Sequence, residues 1–193
     1  MANASTTGFG FRPIKKIAQN YNNAALSEYS VAASSALISH ACLVQLTADG
    51  VVLASGNTDT NNLGTLNGVF YTDATSNKPT FSNFSPASNT ATDIVAFIND
   101  DPMQMYEVMS ADTAFNQNEV GHCADQVLEA GSSPLFVSKS KISATTATTQ
   151  AQLFIMGVSR DPDHSDTTEE GFALRVQIRE HILVGNDTQR AGV

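Results

Sequence analysis

The apolar positions of the chain alternate in twos. Phe172, Leu174, Val176 and Ile178 take turns with Ala173, Arg175, Gln177 and Arg179. Period two sends one set of side chains into a core and the other towards solvent, as in a strand. At 100° per residue the same four apolar side chains would scatter around a helix. Two more β-prone runs, 43–46 and 51–53, are separated by Thr47-Ala48-Asp49-Gly50. Asp-Gly supplies the positive φ of a tight turn, so the spacing predicts a hairpin. The runs 94–98 and 103–108 flank Asn99-Asp100-Asp101-Pro102. Asn and Asp favour turns and Pro102 cannot donate to a ladder, which predicts a second hairpin. Gly68-Val69-Phe70-Tyr71 and Leu153–Val158 are further strands. The latter is apolar on both faces and is expected at the centre of a sheet. One short helix is expected near 112–118, with Asp112 as its cap and Gly121 beyond its end.

Many short strands with turn signals between them predict an all-β fold, a compact antiparallel β-barrel or sandwich with at most one short helix. Two stretches stand apart. Residues 1–28 mix Gly, Asn and Ala with the cluster Phe9-Gly10-Phe11-Arg12-Pro13-Ile14-Lys15-Lys16 and read as an extended N-terminal arm. The β-domain is then 29–193. Within it, 72–92 is rich in Thr, Ser, Asn and Pro, with Phe81 and Phe84 embedded, and reads as a long surface loop. No internal repeat is visible. A length of 193 residues fits one domain.

Composition changes this picture in one respect. Charged residues make up 15% of the chain, against about 25% in ordinary globular proteins. The surface must therefore be built largely of Ser, Thr, Asn, Gln and Ala. Lys plus Arg number 10 and Asp plus Glu 19, giving a net charge of −9. Such a chain repels phosphate and anionic lipid, so neither nucleic acid nor a membrane surface is an expected partner. No run approaches the ~18 apolar residues of a membrane span. Met1-Ala2-Asn3-Ala4-Ser5-Thr6-Thr7 lacks the basic-then-apolar order of a secretory signal, and Cys42 and Cys123 are expected as buried thiols.

Candidate chemistry is sparse. The four histidines are His40, His122, His164 and His181, and no Gly-x-Ser-x-Gly elbow accompanies them. His122 and Cys123 are adjacent, so on a strand they point to opposite faces and make no dyad. Asp161-Pro162-Asp163-His164-Ser165-Asp166, with Glu169 and Glu170, is the best metal candidate. Against a calcium-binding loop, however, Asp166 stands where glycine is needed and Phe172 where the bidentate Glu belongs, so a solvated connecting loop is preferred. Phosphate-cradling glycine motifs are absent. Asn3, Asn83 and Asn186 fit the glycosylation pattern, as chance allows in so Asn-, Ser- and Thr-rich a chain. Asp100 and Asp101 have a turn role already. No catalytic residue, metal ligand or cofactor is assigned, and an enzyme is disfavoured.

The order of segments carries a resemblance. Gly10-Phe11-Arg12-Pro13-Ile14 comes first, then Gly68-Val69-Phe70-Tyr71. Ile98-Asn99-Asp100-Asp101-Pro102 with Met105-Tyr106-Glu107-Val108 follows, then Val120-Gly121-His122-Cys123-Ala124-Asp125. A Ser/Thr tract at 143–149 leads into Gln152–Val158 and Arg160-Asp161-Pro162-Asp163. Val176-Gln177-Ile178-Arg179-Glu180-His181 and a Gly192-Val193 ending close the series. In this order the chain resembles the head-decoration, or cement, proteins of tailed bacteriophages, and looks closest to those of marine and cyanobacterial podoviruses. Segments 22–67 and 72–92 match only loosely.

The resemblance implies a virion protein on the capsid surface that binds the major capsid protein, bridges capsomers and self-associates, with a trimer favoured and a dimer open. Two readings of the N-terminal cluster follow. Phe9, Phe11, Arg12, Pro13 and Ile14 lie over the capsid or a sister subunit, apolar anchors beside an Arg being usual interface centres. Or they complete the domain's own core as a first strand. The competing functions are a soluble β-barrel that binds a small molecule, or another virion part such as a tail protein.

Overall fold

The structure, a computed structural model, describes residues 3–17, 26–32, 35–54, 61–147 and 151–184. The Gly192-Val193 ending, Asn186 and the middle of the 1–28 segment lie outside the described residues. Among the described residues twelve strands follow one another: β1 (Arg12–Lys16), β2 (Ser27–Ser30), β3 (Leu43–Thr47), β4 (Gly50–Leu53), β5 (Asn62–Thr72), β6 (Pro79–Ser82), β7 (Val95–Asn99), β8 (Gln104–Met109), β9 (Cys123–Val127), β10 (Lys141–Ala147), β11 (Leu153–Val158) and β12 (Ala173–Ile178). They form two antiparallel sheets. The first runs β1-β8-β12-β11-β9-β10, and the second runs β2-β7-β5-β3-β4 with β6 also paired to β5. The sheets do not close into a barrel, so of the two expected architectures the sandwich is the compatible one.

The period-two segment behaves as its pattern dictates. Phe172, Leu174, Val176 and Ile178 are buried, while Arg175 and Gln177 of β12 are half-exposed on the other face. β11 lies centrally, between β12 and β9. The first expected hairpin is β3–β4, with Val44 opposite Leu53 and Thr47 opposite Gly50. Gly50 adopts φ +123°, and a Cβ there would stand 2.6 Å from the Ser30 carbonyl oxygen.

The second expected hairpin does not form. β7 pairs with β2 and β5 in one sheet, while β8 pairs with β1 and β12 in the other. Residues 100–103 therefore carry the chain across the sandwich. Turn chemistry marks where a chain reverses, but the sheet that the next strand joins is decided by distant partners. The 72–92 segment also departs from a plain loop: β6 lies within it, with Phe81 opposite Phe70. Its Ser, Thr and Asn content hides a strand whose aromatic side chain faces out.

No α-helix occurs among the described residues. The helix expected at 112–118 is a single 3₁₀ turn at Gln117–Glu119, preceded by Asn116 rather than Asp112. The Asn116 N–H donates to Glu119 Oε2 at 3.1 Å. Phe115 is the one large apolar side chain at 112–118, and it is spent against Phe172, 5.9 Å away between ring centres. A helix there would have no apolar stripe to bury. A second 3₁₀ turn spans Pro162–His164, its start fixed by Asp161 accepting from the Asp163 N–H at 3.1 Å.

The interior holds two large apolar clusters joined by a polar seam, with a small third one of Phe9, Met109 and Ala173. One cluster centres on Tyr106, Ile142, Leu153, Ile155, Phe172 and Leu174. The other centres on Val44, Leu63, Leu66, Val69, Ala96 and Ile98. Across the sheets, Gln126 Nε2 donates to the Ala54 oxygen (2.7 Å), Gln152 Nε2 to Asn62 Oδ1 (3.4 Å) and the Tyr106 hydroxyl to the Asn99 oxygen (3.0 Å). Buried polar pairs tolerate little sliding, so the seam fixes how the sheets face each other.

Candidate functional site

The residues nominated from sequence separate into two groups. The Phe11 N–H donates to the Ala41 oxygen at 2.8 Å, and its ring is wholly buried in the first cluster. Arg12 to Lys16 form an edge strand, where Pro13 removes no inner ladder bond; the pairing to β8 is bulged between Pro13 and Lys15. Phe9 packs on Met109 and Ala173 and lies 5.6 Å from the His164 ring. The exposed Arg12 guanidinium sits 3.8 Å above the Phe9 ring centre. Ile14 is half-buried. Arg12, Pro13 and Ile14 thus lie in β1 and Phe9 and Phe11 are buried just ahead of it, so the five side chains do not gather into one outward-facing patch.

Residues 3–5 are also tied in. The Asn3 side chain bonds the backbone of Asp166, Glu169 and Glu170 at 2.9–3.1 Å. Gly171, at φ +92°, leaves room for the Ser5 oxygen, which a Cβ would meet at 2.3 Å. Asp161 and Asp166 of the metal candidate at 161–166 spend their carboxylates on this loop. Asp166 accepts from the Thr168 hydroxyl (2.7 Å) and N–H (3.1 Å), and these bonds hold its carboxyl down at about 2. Among the described residues no three His, Cys, Asp or Glu side chains gather as ligands. Both cysteines are free and buried. Burial pushes the Cys42 thiol up to about 11, against the opposing pull of Ser138 and Ser140, which leaves it protonated and unreactive at neutral pH.

Titratable groups do meet at the crossover. Asp100 accepts from Ser27 Oγ at 2.9 Å and from the Tyr29 hydroxyl at 2.6 Å. Burial, then Asp100, pushes Tyr29 up to about 12. Burial raises Asp101, but its ion pair with Lys16 and the Met103 N–H outweigh that and hold it below the ordinary carboxylate range. Burial pulls His181 down, against the carboxylates of Asp100 and Asp101. Every group here already has a structural partner of the opposite character except His181 Nε2. The arrangement braces the crossover.

Two surface features bear on binding. The first is aromatic and lies on the outer face of the second sheet. Phe70 and Phe81 are cross-strand partners, 40% and 66% exposed. Phe81 also stacks on the half-buried Phe97, with ring centres 5.7 Å apart. Gly68, opposite Phe97, leaves the floor on which the Phe81 ring lies. The second is a cleft of about 270 Å³ between β1 and β5, lined by Phe11, Pro13, Leu26, Ala41 and Leu66 together with His40, Thr65, Asn67 and Asn99. Phe11 and Pro13 thus reach a site, though an inward one.

In the sequence, Phe81 reads only as a residue in a loop. Its signal was the register: once β5 and β6 pair, Phe70 and Phe81 must share a face. Asn99 reads as a turn residue, and nothing in its local sequence marks it as cleft-lining. Comparisons with protein-family models, with curated proteins and with solved structures found no match to this chain.

Proposed function

We propose that the protein is a decoration, or cement, protein of a tailed-phage head. It binds the outside of the major capsid protein shell, bridges capsomers by adhesion and makes no covalent chemistry. The observation that carries this reading is the exposed aromatic face of Phe70, Phe81 and Phe97. Neighbouring large apolar side chains held open to water on a rigid sheet support a protein-binding role. The charge-poor, Ser/Thr/Asn-rich surface around them desolvates cheaply, and the net charge of −9 keeps free copies soluble. The partner's identity comes from the resemblance in segment order. Self-association on the shell, with a trimer favoured and a dimer open, belongs to the same proposal.

Co-sedimentation with undecorated capsids, followed by imaging of the particles, tests it. The wild type should pellet with shells and appear as regular surface density. Phe70→Ser combined with Phe81→Ser should weaken binding at least tenfold while leaving the fold intact, because both side chains lie on the outer face of the sheet and belong to neither apolar core. Absence of wild-type binding overturns the function. Unchanged binding by the folded double variant removes the aromatic face from it. Point variants are preferred to deletion of residues 1–16, which would strip out the buried Phe11 and the β1 edge strand.

A further inference from the structure

The cleft between β1 and β5 is lined in part by Asn99, whose buried side chain has an unmet polar requirement. Asn99 closes β7 opposite Thr65 and is 2% exposed. Its backbone oxygen accepts from Tyr106, but neither Oδ1 nor Nδ2 of its side chain has a partner in the protein. A buried carboxamide with two donors and an acceptor unused is rare in a native structure and calls for an occupant. The walls are apolar, from Phe11, Pro13, Leu26, Ala41 and Leu66. Among the described lining residues none is Lys, Arg, Asp or Glu. His40 Nδ1 lies 2.9 Å from the Asn67 carbonyl oxygen, which can only accept, so in the neutral ring Nε2 is left as an acceptor.

We propose that this cleft binds a neutral carboxamide carried on a small apolar body. An amide edge places one donor and one acceptor side by side and so meets the Asn99 side chain with two hydrogen bonds. A carboxylate would find no Lys or Arg among the described lining residues, and buried sites do not tolerate an unpaired charge. A cavity of about 150 Å³ is enough to hold benzene, so 270 Å³ has room for a ring bearing an amide. The same chemistry comes from a free small molecule or from an Asn or Gln side chain of a partner. The site shares no residue with the aromatic face, so it survives if shell binding fails.

The test is titration of the ¹⁵N-labelled full chain, followed by NMR, with benzamide, benzoate and N-acetylglutamine methylamide. Benzamide should give saturable shifts at Ala41, Leu66, Asn67 and Asn99, and benzoate should bind at least tenfold more weakly. A response to the glutamine derivative assigns the occupant to a protein side chain; a response to benzamide alone assigns it to a small molecule. Asn99→Leu, which keeps the branched shape and deletes the polar atoms, should weaken benzamide at least tenfold. Leu26→Trp, made at an exposed rim position, should block the cleft without touching the interior and gives the same reading if Asn99→Leu does not fold. No saturable response, equal binding of benzoate, or unchanged benzamide binding by the folded variants overturns the proposal.

Discussion

The chain reverses at 47–50 and again at 99–103 with similar residues, and the two places are held in different ways. At 47–50 the turn is closed by its own strands: Thr47 pairs with Gly50, and the Thr47 hydroxyl donates to the Gly50 oxygen at 2.8 Å. At the crossover the partners come from elsewhere. Asp100 is held by Ser27 and Tyr29 of β2, Asp101 by Lys16 of β1, and the Pro102 oxygen by Gln177 Nε2 of β12 at 2.8 Å. The hairpin is a local object. The crossover is a junction where both sheets are pinned together, and its side chains carry energy that the hairpin's exposed Ala48 and Asp49 do not.

The largest effect is expected where the hairpin is not self-sufficient. Gly50 combines φ +123° with an approach that would put a Cβ 2.6 Å from the Ser30 oxygen and 3.0 Å from the Ala32 nitrogen. Gly50→Val must strain the backbone and push β4 off the 30–32 segment, at a cost of about 3 kcal/mol or more. Urea denaturation should show a lower midpoint with the slope unchanged; a loss under about 1 kcal/mol would show that the end of β4 moves freely.

The next effect sharpens the contrast directly. Asp100→Ala leaves the Tyr29 hydroxyl and Ser27 without their acceptor and should cost about 1–3 kcal/mol. Asp49→Ala, in the exposed hairpin turn, should stay within about 0.5 kcal/mol. Equal losses would mean that the two reversals are alike after all. Tyr29 gives a second readout. Its folded value, about 12, lies above the ordinary 10, so its neutral form is favoured in the fold. That contribution is complete below pH 10 and is lost as pH rises from 10 towards 12. In Asp100→Ala, ultraviolet titration should find Tyr29 ionising at lower pH, with the part due to burial remaining.

The same contrast explains what the sequence discloses. Alternation over 172–178 and the Asp-Gly of 49–50 are local signals, and the strand and hairpin they announce are present. Asn99-Asp100-Asp101-Pro102 is an equally clear turn signal, but its side chains bond residues more than 70 positions away, and no local pattern encodes that pairing. The candidate sites divide likewise. Phe11 and Pro13 attract notice as an apolar cluster, yet whether they face a partner or the interior depends on β8, nearly a hundred residues on. Asn99 has an ordinary turn composition around it. Only the closing of β1 against β5 makes its unpartnered amide visible.

The smallest effect concerns the charge state of the crossover's neighbour. His181 is buried beside Asp100 and Asp101, and its Nδ1 accepts from the Leu183 N–H at 3.2 Å. The neutral ring therefore carries its hydrogen on Nε2. Protonation would add a hydrogen to Nδ1, facing an N–H that cannot accept it. Burial lowers the folded pKa below the ordinary 6.5, with the two carboxylates opposing. Between the folded value and 6.5 the unfolded chain binds more protons than the folded one, so stability rises with pH across that window. The contribution is complete above pH 6.5 and is lost as pH falls towards the folded value, with a slope of at most about 1.4 kcal/mol per pH unit for one proton. His181→Gln should flatten that part of the stability profile relative to wild type, measured by urea midpoints between pH 7 and pH 5. An unchanged slope in the folded variant would assign the acid sensitivity to other groups and leave the crossover braced by its carboxylates alone.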